Sequence, residues 1–287
     1  MTSYLHAALD DTADVREQRE GPPNQNIIRI LLEHDADVNA HDGDCSTPLH
    51  LLASSESAGI RSMKLLLEHG ADVKALDQTK STPLHVASSQ IFSRGLKSVR
   101  LLIKYGANIN AQDHAKWTPL HHASFFGNTK TIQILLENGA DVNAQSRLLK
   151  TPLHLVSLLK TGAKAARLLI EDGANVNAQD TDHETPLHLA SSAGGEGTIK
   201  LLIERGADVN AHDKGCSTPL HRAVSTPFTF NGTSNIGVLH LLLNNGANVD
   251  EKNDSGQTPF QLASSSGLSE IATLLSDHRV RLGVRDT

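Results

Sequence analysis

Apolar residues recur along the chain at helical spacing, in short segments that are separated by polar turns. The segment TIQILLENGADV places its aliphatic residues three and four positions apart, which is the period of one buried helix face. A shorter apolar segment that begins with Thr-Pro, such as TPLHHA, precedes it, and a glycine follows it. Threonine caps a helix, proline suits its first turn, and glycine suits the residue after its end. The pattern therefore predicts pairs of short helices.

The predicted helix pairs recur at a nearly constant interval. The motif Thr-Pro-Leu-His begins at six positions, and a diverged copy, TPFQ, begins at Thr258. The six positions are Thr47, Thr82, Thr118, Thr151, Thr185 and Thr218. From a fixed position in the longer helix to the next such motif, the distance is 17 residues in every copy. All length variation lies elsewhere in the repeat, which predicts that this part is fixed by packing and the variable part is an exposed turn.

The repeated residues resemble the ankyrin repeat family. The family signature TPLHLAxxxGxxxxVxLLLxxGADVNAxD is matched closely from Thr118 to Asp141 and from Thr185 to Asp213. The resemblance covers nearly the whole chain and implies an all-α solenoid of about eight helix-turn-helix units joined by β-hairpin-like fingers. It also implies one domain over residues 1–280, with residues 1–46 and 258–276 as capping units and residues 281–287 as a tail.

The chain departs from the family at the finger glycine, which survives only as Gly256. At the equivalent position the other fingers carry Cys45, Lys80, Lys116, Leu149, His183 and Cys216. A left-handed backbone costs free energy for residues other than glycine. We therefore expect some fingers to differ in shape or to be less rigid.

Composition narrows the class of function. The chain has 287 residues and a formal net charge of −6, which disfavours a surface that neutralises nucleic-acid phosphates. The two cysteines, Cys45 and Cys216, lack zinc-site spacing and are predicted to be free thiols in a reducing compartment. Neither a signal-peptide pattern nor an apolar run of roughly 20 residues is present. We expect a soluble, monomeric protein of the cytoplasm, with the nucleus as an alternative, and no membrane partner.

The histidines are predicted to be mainly structural. Six of the sixteen occupy the last position of the TPLH motif, where an imidazole can bond back to the threonine and connect neighbouring turns. They are His50, His85, His121, His154, His188 and His221. They recur once per unit, whereas zinc needs three or four ligands that converge on one point. His114 and His122 could approach each other, but the pattern supplies no obvious further ligand, so we expect no metal and no cofactor.

The resemblance implies where a partner binds. Ankyrin proteins usually bind partners in a concave groove lined by the finger tips and the exposed side of the first helices. Most units of this chain place small or polar residues there, but two consecutive units carry bulky apolar and basic ones, which is typical of an interface hot spot. The candidate residues are His114, Trp117, His122, Phe125, Phe126, Arg147, Leu148, Lys150, Leu155 and Leu158.

The two phenylalanines among these candidates have an alternative role. Phe125 and Phe126 can instead fill gaps between neighbouring helices, in which case they are part of the core.

An insertion in the seventh unit, STPFTFNGTSN, places Phe228 and Phe230 in a long turn that either covers the neighbouring turn or forms a second contact site.

The favoured function is a non-catalytic scaffold or adaptor that binds a partner protein in its groove. The alternative is an enzyme or enzyme subunit that uses the groove as a small-molecule pocket, with His114, His122 and Trp117 as the first residues to test. A deep cavity with converging ionisable groups would favour the enzyme, and an open groove would favour the interaction module.

Overall fold

A computed structural model describes residues 4–10, 25–54, 59–90, 95–226 and 235–281. These residues form sixteen short helices and no strand. The first eight helices are α1 Tyr4–Asp10, α2 Gln25–Glu33, α3 Pro48–Ser54, α4 Gly59–Glu68, α5 Pro83–Ser88, α6 Leu96–Lys104, α7 Pro119–Phe125 and α8 Thr129–Glu137. The other eight are α9 Pro152–Ser157, α10 Ala163–Glu171, α11 Pro186–Ala193, α12 Glu196–Glu204, α13 Pro219–Ser225, α14 Ile236–Asn244, α15 Pro259–Ser265 and α16 Ser269–Arg281.

The helix pairs, one per repeat, are grouped into two compact units. The first unit comprises residues 1–147 and the second comprises residues 148–287, and each contains four helix pairs. In the first unit, α1, α3, α5 and α7 pack side by side in one layer, and α2, α4, α6 and α8 pack in a second. In the second unit, α9, α11, α13 and α15 form one layer, and α10, α12 and α14 form the other, while α16 packs on α15. The stacking of four helix pairs within each unit confirms the predicted all-α repeat architecture.

The helix ends follow the predicted signals. From α3 onward, every first helix of a pair begins at the proline of its motif, and the threonine before it has an extended backbone wherever its dihedral angles are defined. Six of the second helices are followed by glycines with φ between 84° and 92°, which is the left-handed conformation expected after a helix end. These glycines are Gly70, Gly106, Gly139, Gly173, Gly206 and Gly246.

The core of each unit is built from the same repeat positions. The leucine of each TPLH motif is completely buried, and every second helix also buries at least one aliphatic residue. The motif leucines are Leu49, Leu84, Leu120, Leu153, Leu187 and Leu220. Each helix is too short to be stable alone, so burial against its neighbours within the unit supplies most of its stability.

The fingers are tight turns with a hairpin-type hydrogen bond, as predicted. In one example, the amide of Asp77 donates to the carbonyl of Ser81 over 3.0 Å. The expectation that fingers without glycine differ in shape is wrong, because all six non-glycine residues have φ between 52° and 59°. A side-chain oxygen accompanies this shape in most fingers: Asp77 Oδ1 accepts from the amides of Thr79 and Ser81, and the same pair of bonds recurs in four other fingers without glycine and in the finger of Gly256. The finger of Leu149 has a serine at this position and keeps the same backbone conformation.

Candidate functional site

Within each unit, the TPLH histidines connect neighbouring repeats, as predicted. His50 and His85 in the first unit bond to a carbonyl of the following finger, and so do His154, His188 and His221 in the second. His154 Nδ1 accepts from the amide of Thr151 over 3.1 Å and lies 2.9 Å from its hydroxyl, while Nε2 donates to the carbonyl of Glu184 in the next finger over 3.1 Å. The arrangement requires a neutral imidazole that carries its proton on Nε2. Burial lowers the pKa of His85 and of His154 to about 4, which keeps both neutral at physiological pH.

An aromatic cluster lies where the third finger of the first unit meets α7. Trp117 is the last residue of the finger, His122 lies on α7, and Phe125 ends that helix. The ring centroids of Trp117 and His122 are 5.2 Å apart, those of Trp117 and Phe125 are 5.6 Å apart, and those of Phe125 and Phe126 are 5.2 Å apart. The rings therefore form a continuous chain of contacts from the finger to the end of α7.

Part of this cluster is exposed. Phe125 keeps 44% and Phe126 keeps 39% of its surface accessible, whereas Trp117 is half-buried. We refer to Trp117, Phe125 and Phe126 as the aromatic surface. It offers contiguous apolar area to solvent, a feature that marks many binding sites.

His122 has a carboxylate partner that the sequence reasoning overlooked. Its Nε2 lies 3.0 Å from Asp113 Oδ2, within the same finger–helix unit. The sequence could have indicated this pair, because Asp113 lies at the position where most fingers carry an aspartate and His122 directly follows the TPLH motif of the same repeat. His114 is exposed in the finger, and its backbone amide donates to the carbonyl of Thr79. Among the described residues, no group of three or more His, Cys, Asp or Glu residues could hold a metal ion.

The remaining candidate residues differ in their surroundings. In the first unit, Arg147 is exposed and its amide donates to the carbonyl of Ala115. In the second unit, Leu148 and Leu158 are exposed. The expectation that Leu155 faces solvent is wrong, because it is only 3% exposed: it lies on the buried part of α9.

Lys150, a candidate contact residue, is held by carboxylates of the protein itself. Its ammonium lies 2.8 Å from Asp180 Oδ2 and 3.9 Å from Glu184 Oε2. Glu184 also pairs with Arg222, whose guanidinium lies 2.8 Å from Asp213. These five residues all lie in the second unit and form one ion-pair network.

Two carboxylates of the network have pKa values that are shifted in opposite directions. Burial raises the pKa of Glu184, and the positive charges of Arg222 and Lys150 offset that rise only in part. Burial also acts to raise the pKa of Asp180, but the hydrogen bond from Lys150 and the finger amides outweigh it and lower the pKa overall. The repeat register could have indicated this network, because Lys150 and Glu184 occupy the Trp117 position of their repeats, and Arg222 occupies the His122 position.

Other candidate features lie elsewhere in the molecule. A pocket of about 450 Å³ lies between α15 and α16, lined in part by Phe260, Thr273 and Asp277, and not beside the histidines that were proposed for catalysis. Cys45 and Cys216 are free and exposed, as predicted. Phe228 and Phe230 lie outside the described residues. No helix in the described part of the chain is both long and apolar enough to cross a membrane.

Family models match most of the sequence. A model described as ankyrin repeats in three copies matches residues 19–113, 63–146, 94–180 and 148–213. A second model, described as ankyrin repeats in many copies, matches residues 233–275. No curated protein matches the sequence.

Proposed function

The chain belongs to the ankyrin repeat family, and from that premise we propose that it is a non-catalytic scaffold or adaptor that binds a partner protein. Ankyrin repeats are general protein–protein interaction modules, so a protein partner is the expected ligand. The fold alone does not select a partner, because specificity depends on the side chains that a repeat exposes. The proposal therefore depends on which exposed side chains depart from the rest of the chain.

The observation that carries the proposal is the aromatic surface of the first unit. Phe125 and Phe126 are both large, exposed and in contact with each other, and Trp117 supports Phe125 from the finger. Tryptophan and other aromatic residues dominate interface hot spots because they bury a large area at little entropic cost. We place His114, His122 and Arg147 at the margin of this contact.

A second contact is proposed in the second unit, at Leu148 and Leu158, which are both exposed. Leu155 is omitted because it is buried, and Lys150 is omitted because its charge is paired within the protein. We also propose that the protein acts as a monomer in the cytoplasm, where its two exposed free thiols remain reduced.

A comparative pull-down tests the proposal. Wild-type protein and the Phe125→Ala/Phe126→Ala variant are used as bait in extract of the native cells, and captured proteins are quantified. Phe260→Ala is the matched control, because Phe260 is 38% exposed and lies on α15 in the second unit. We expect at least one protein that wild type and Phe260→Ala retain equally and that the double variant loses. Equal capture by all three baits would refute the proposed surface.

A further inference from the structure

The fingers beside the aromatic surface carry positive charge without a carboxylate partner. Lys80, Lys116 and Arg147 are all exposed, and none of them forms an ion pair with another described residue. They belong to three consecutive fingers, and all three residues lie in the first unit. The formal charge of the chain is −6, so this group of cations is a local departure from an acidic average.

Hydrogen bonds hold these fingers side by side. The amide of His114 donates to the carbonyl of Thr79 over 2.9 Å, and the amide of Arg147 donates to the carbonyl of Ala115 over 2.9 Å. Lys80 and Lys116 also occupy the same left-handed position of their fingers, with φ of 59° and 57°. The spacing of the three cations is therefore fixed by the fold.

The acidic residues of the same fingers are bonded internally. Asp77 Oδ1 accepts from amides of its own finger, and Asp113 does the same while its Oδ2 accepts from His122. The third of these fingers has Ser146 where most fingers have an aspartate or asparagine. None of these groups neutralises the exposed cations by direct contact.

The finger of Lys116 leads into the aromatic surface, and the fingers of Lys80 and Arg147 are hydrogen-bonded to it on either side. Lys116 precedes Trp117 in the chain, and the Trp117 ring contacts Phe125, which contacts Phe126. The result is an exposed apolar area with a basic margin. In the second unit, by contrast, the finger cations Lys150 and Lys214 each lie within 4 Å of an aspartate. The unpaired basic margin is thus found beside the aromatic surface, where it can act on an incoming ligand.

We propose that the partner presents an acidic segment that carries aromatic or large aliphatic side chains, an inference that rests on the proposed function. Its Asp and Glu residues pair with Lys80, Lys116 and Arg147, and its apolar side chains cover the aromatic surface. Charge complementarity of this kind mainly increases the association rate and the specificity, while the apolar contact supplies affinity. A basic segment with arginines stacked on the rings is the competing ligand, and the three cations repel it.

Selection from a displayed library of random twelve-residue peptides tests this inference. The baits are wild type, the charge-reversal variant Lys80→Glu/Lys116→Glu/Arg147→Glu, and the variant Phe125→Ala/Phe126→Ala. The matched charge control is Arg100→Glu/Lys104→Glu/Lys130→Glu, which changes the net charge equally at exposed positions of α6 and α8. The melting temperature of each bait is measured first, and Gln replaces Glu in any reversal variant that melts early.

We expect the wild-type and control pools to be enriched in Asp and Glu next to aromatic or large aliphatic residues. The affinity of a selected peptide should fall by at least about tenfold in the charge-reversal variant, and its binding should weaken steeply with added salt. A selected pool that depends on Phe125 and Phe126 but shows no acidic preference would overturn this inference and leave the proposed function standing. A pool unaffected by loss of the two phenylalanines would overturn both.

Discussion

At the scale of single residues, one histidine per repeat has two structural tasks. Its Nδ1 accepts from the amide of the capping threonine, and its Nε2 donates to a carbonyl of the following finger, as in His154 between Thr151 and Glu184. The last repeat shows that the first task does not need an imidazole. There Gln261 Oε1 accepts from the amide of Thr258 over 2.9 Å.

Replacing one such histidine separates these tasks. We expect His154→Ala to lower the free energy of unfolding by about 2–3 kcal/mol, because it leaves buried polar groups without partners. His154→Gln should cost less, since Gln261 shows that an amide oxygen can take over the bond to the cap. Urea denaturation measures both, with His240→Ala on the exposed face of α14 as the control. Equal losses for Ala and Gln would contradict the capping role.

The same histidines predict how stability depends on pH. Burial lowers the pKa of His85 and His154 to about 4 in the folded protein, while the ordinary value of 6.5 applies in the unfolded chain. The unfolded state therefore binds more protons between pH 6.5 and 4, and stability is present above this window and lost as the pH falls through it. Between pH 7.5 and pH 5 we expect a loss of about 2 kcal/mol for each of these histidines.

Urea unfolding at several pH values checks this dependence. The His154→Gln variant is the internal control, because its side chain does not titrate and its slope should be smaller by the contribution of one histidine. Stability that stayed constant or rose from pH 7.5 to pH 5 would show that these imidazoles are not held neutral.

At the scale of elements, asparagines connect the end of one repeat to the next. Asn110 Nδ2 donates to the carbonyl of Gly139, and its Oδ1 accepts from the amide of Asp141. Asn39, Asn177 and Asn210 make the same pair of bonds. Lys74 occupies the equivalent position in its repeat and makes no side-chain hydrogen bond to the next one.

The missing pair of hydrogen bonds at Lys74 predicts a stabilising substitution. Lys74→Asn should bond to the carbonyl of Gly106 and the amide of Asn108, and raise the free energy of unfolding by about 1 kcal/mol. Urea denaturation of this variant is compared with Lys74→Ala, which removes the same lysine without adding the bonds. A Lys74→Asn variant no more stable than Lys74→Ala would show that the asparagine bonds add nothing to the contact between repeats.

The ion-pair network of the second unit makes a further prediction at this scale. Lys150→Met leaves the carboxylate of Asp180 buried and unpaired, so we expect a loss of about 2 kcal/mol of stability. Adding Asp180→Asn to the Lys150→Met variant should restore part of that loss, because the side-chain oxygen of the asparagine can still accept from the finger amides, as that of Asn253 does. Chemical denaturation of the two variants and of the exposed control Lys160→Met measures the effect. A lack of rescue would argue against the pairing.

At the scale of the whole molecule, the sequence predicts what repeats and misses what is particular to one repeat. Helix ends, buried leucines and the histidine bonds follow from spacing, because each copy repeats the same local physics. The exposed state of Leu155 was predicted wrongly, and the ion pair of Lys150 was not predicted, since both depend on neighbours from other parts of the chain. The finger shapes were also mispredicted: in five of the six fingers without glycine, bonds from an aspartate side chain help to offset the cost of the left-handed residue.

Trp117 allows a direct test of the central claim that the exposed aromatic residues of the first unit bind a protein. It is the sole tryptophan of the chain, so labelling with 5-fluorotryptophan gives one fluorine resonance inside the aromatic surface. Unlabelled partner, taken from the pull-down, is titrated into the labelled protein. We predict a saturable change in the chemical shift of this resonance that is absent with Phe125→Ala/Phe126→Ala. Saturable binding of the partner with an unchanged Trp117 resonance would contradict the account.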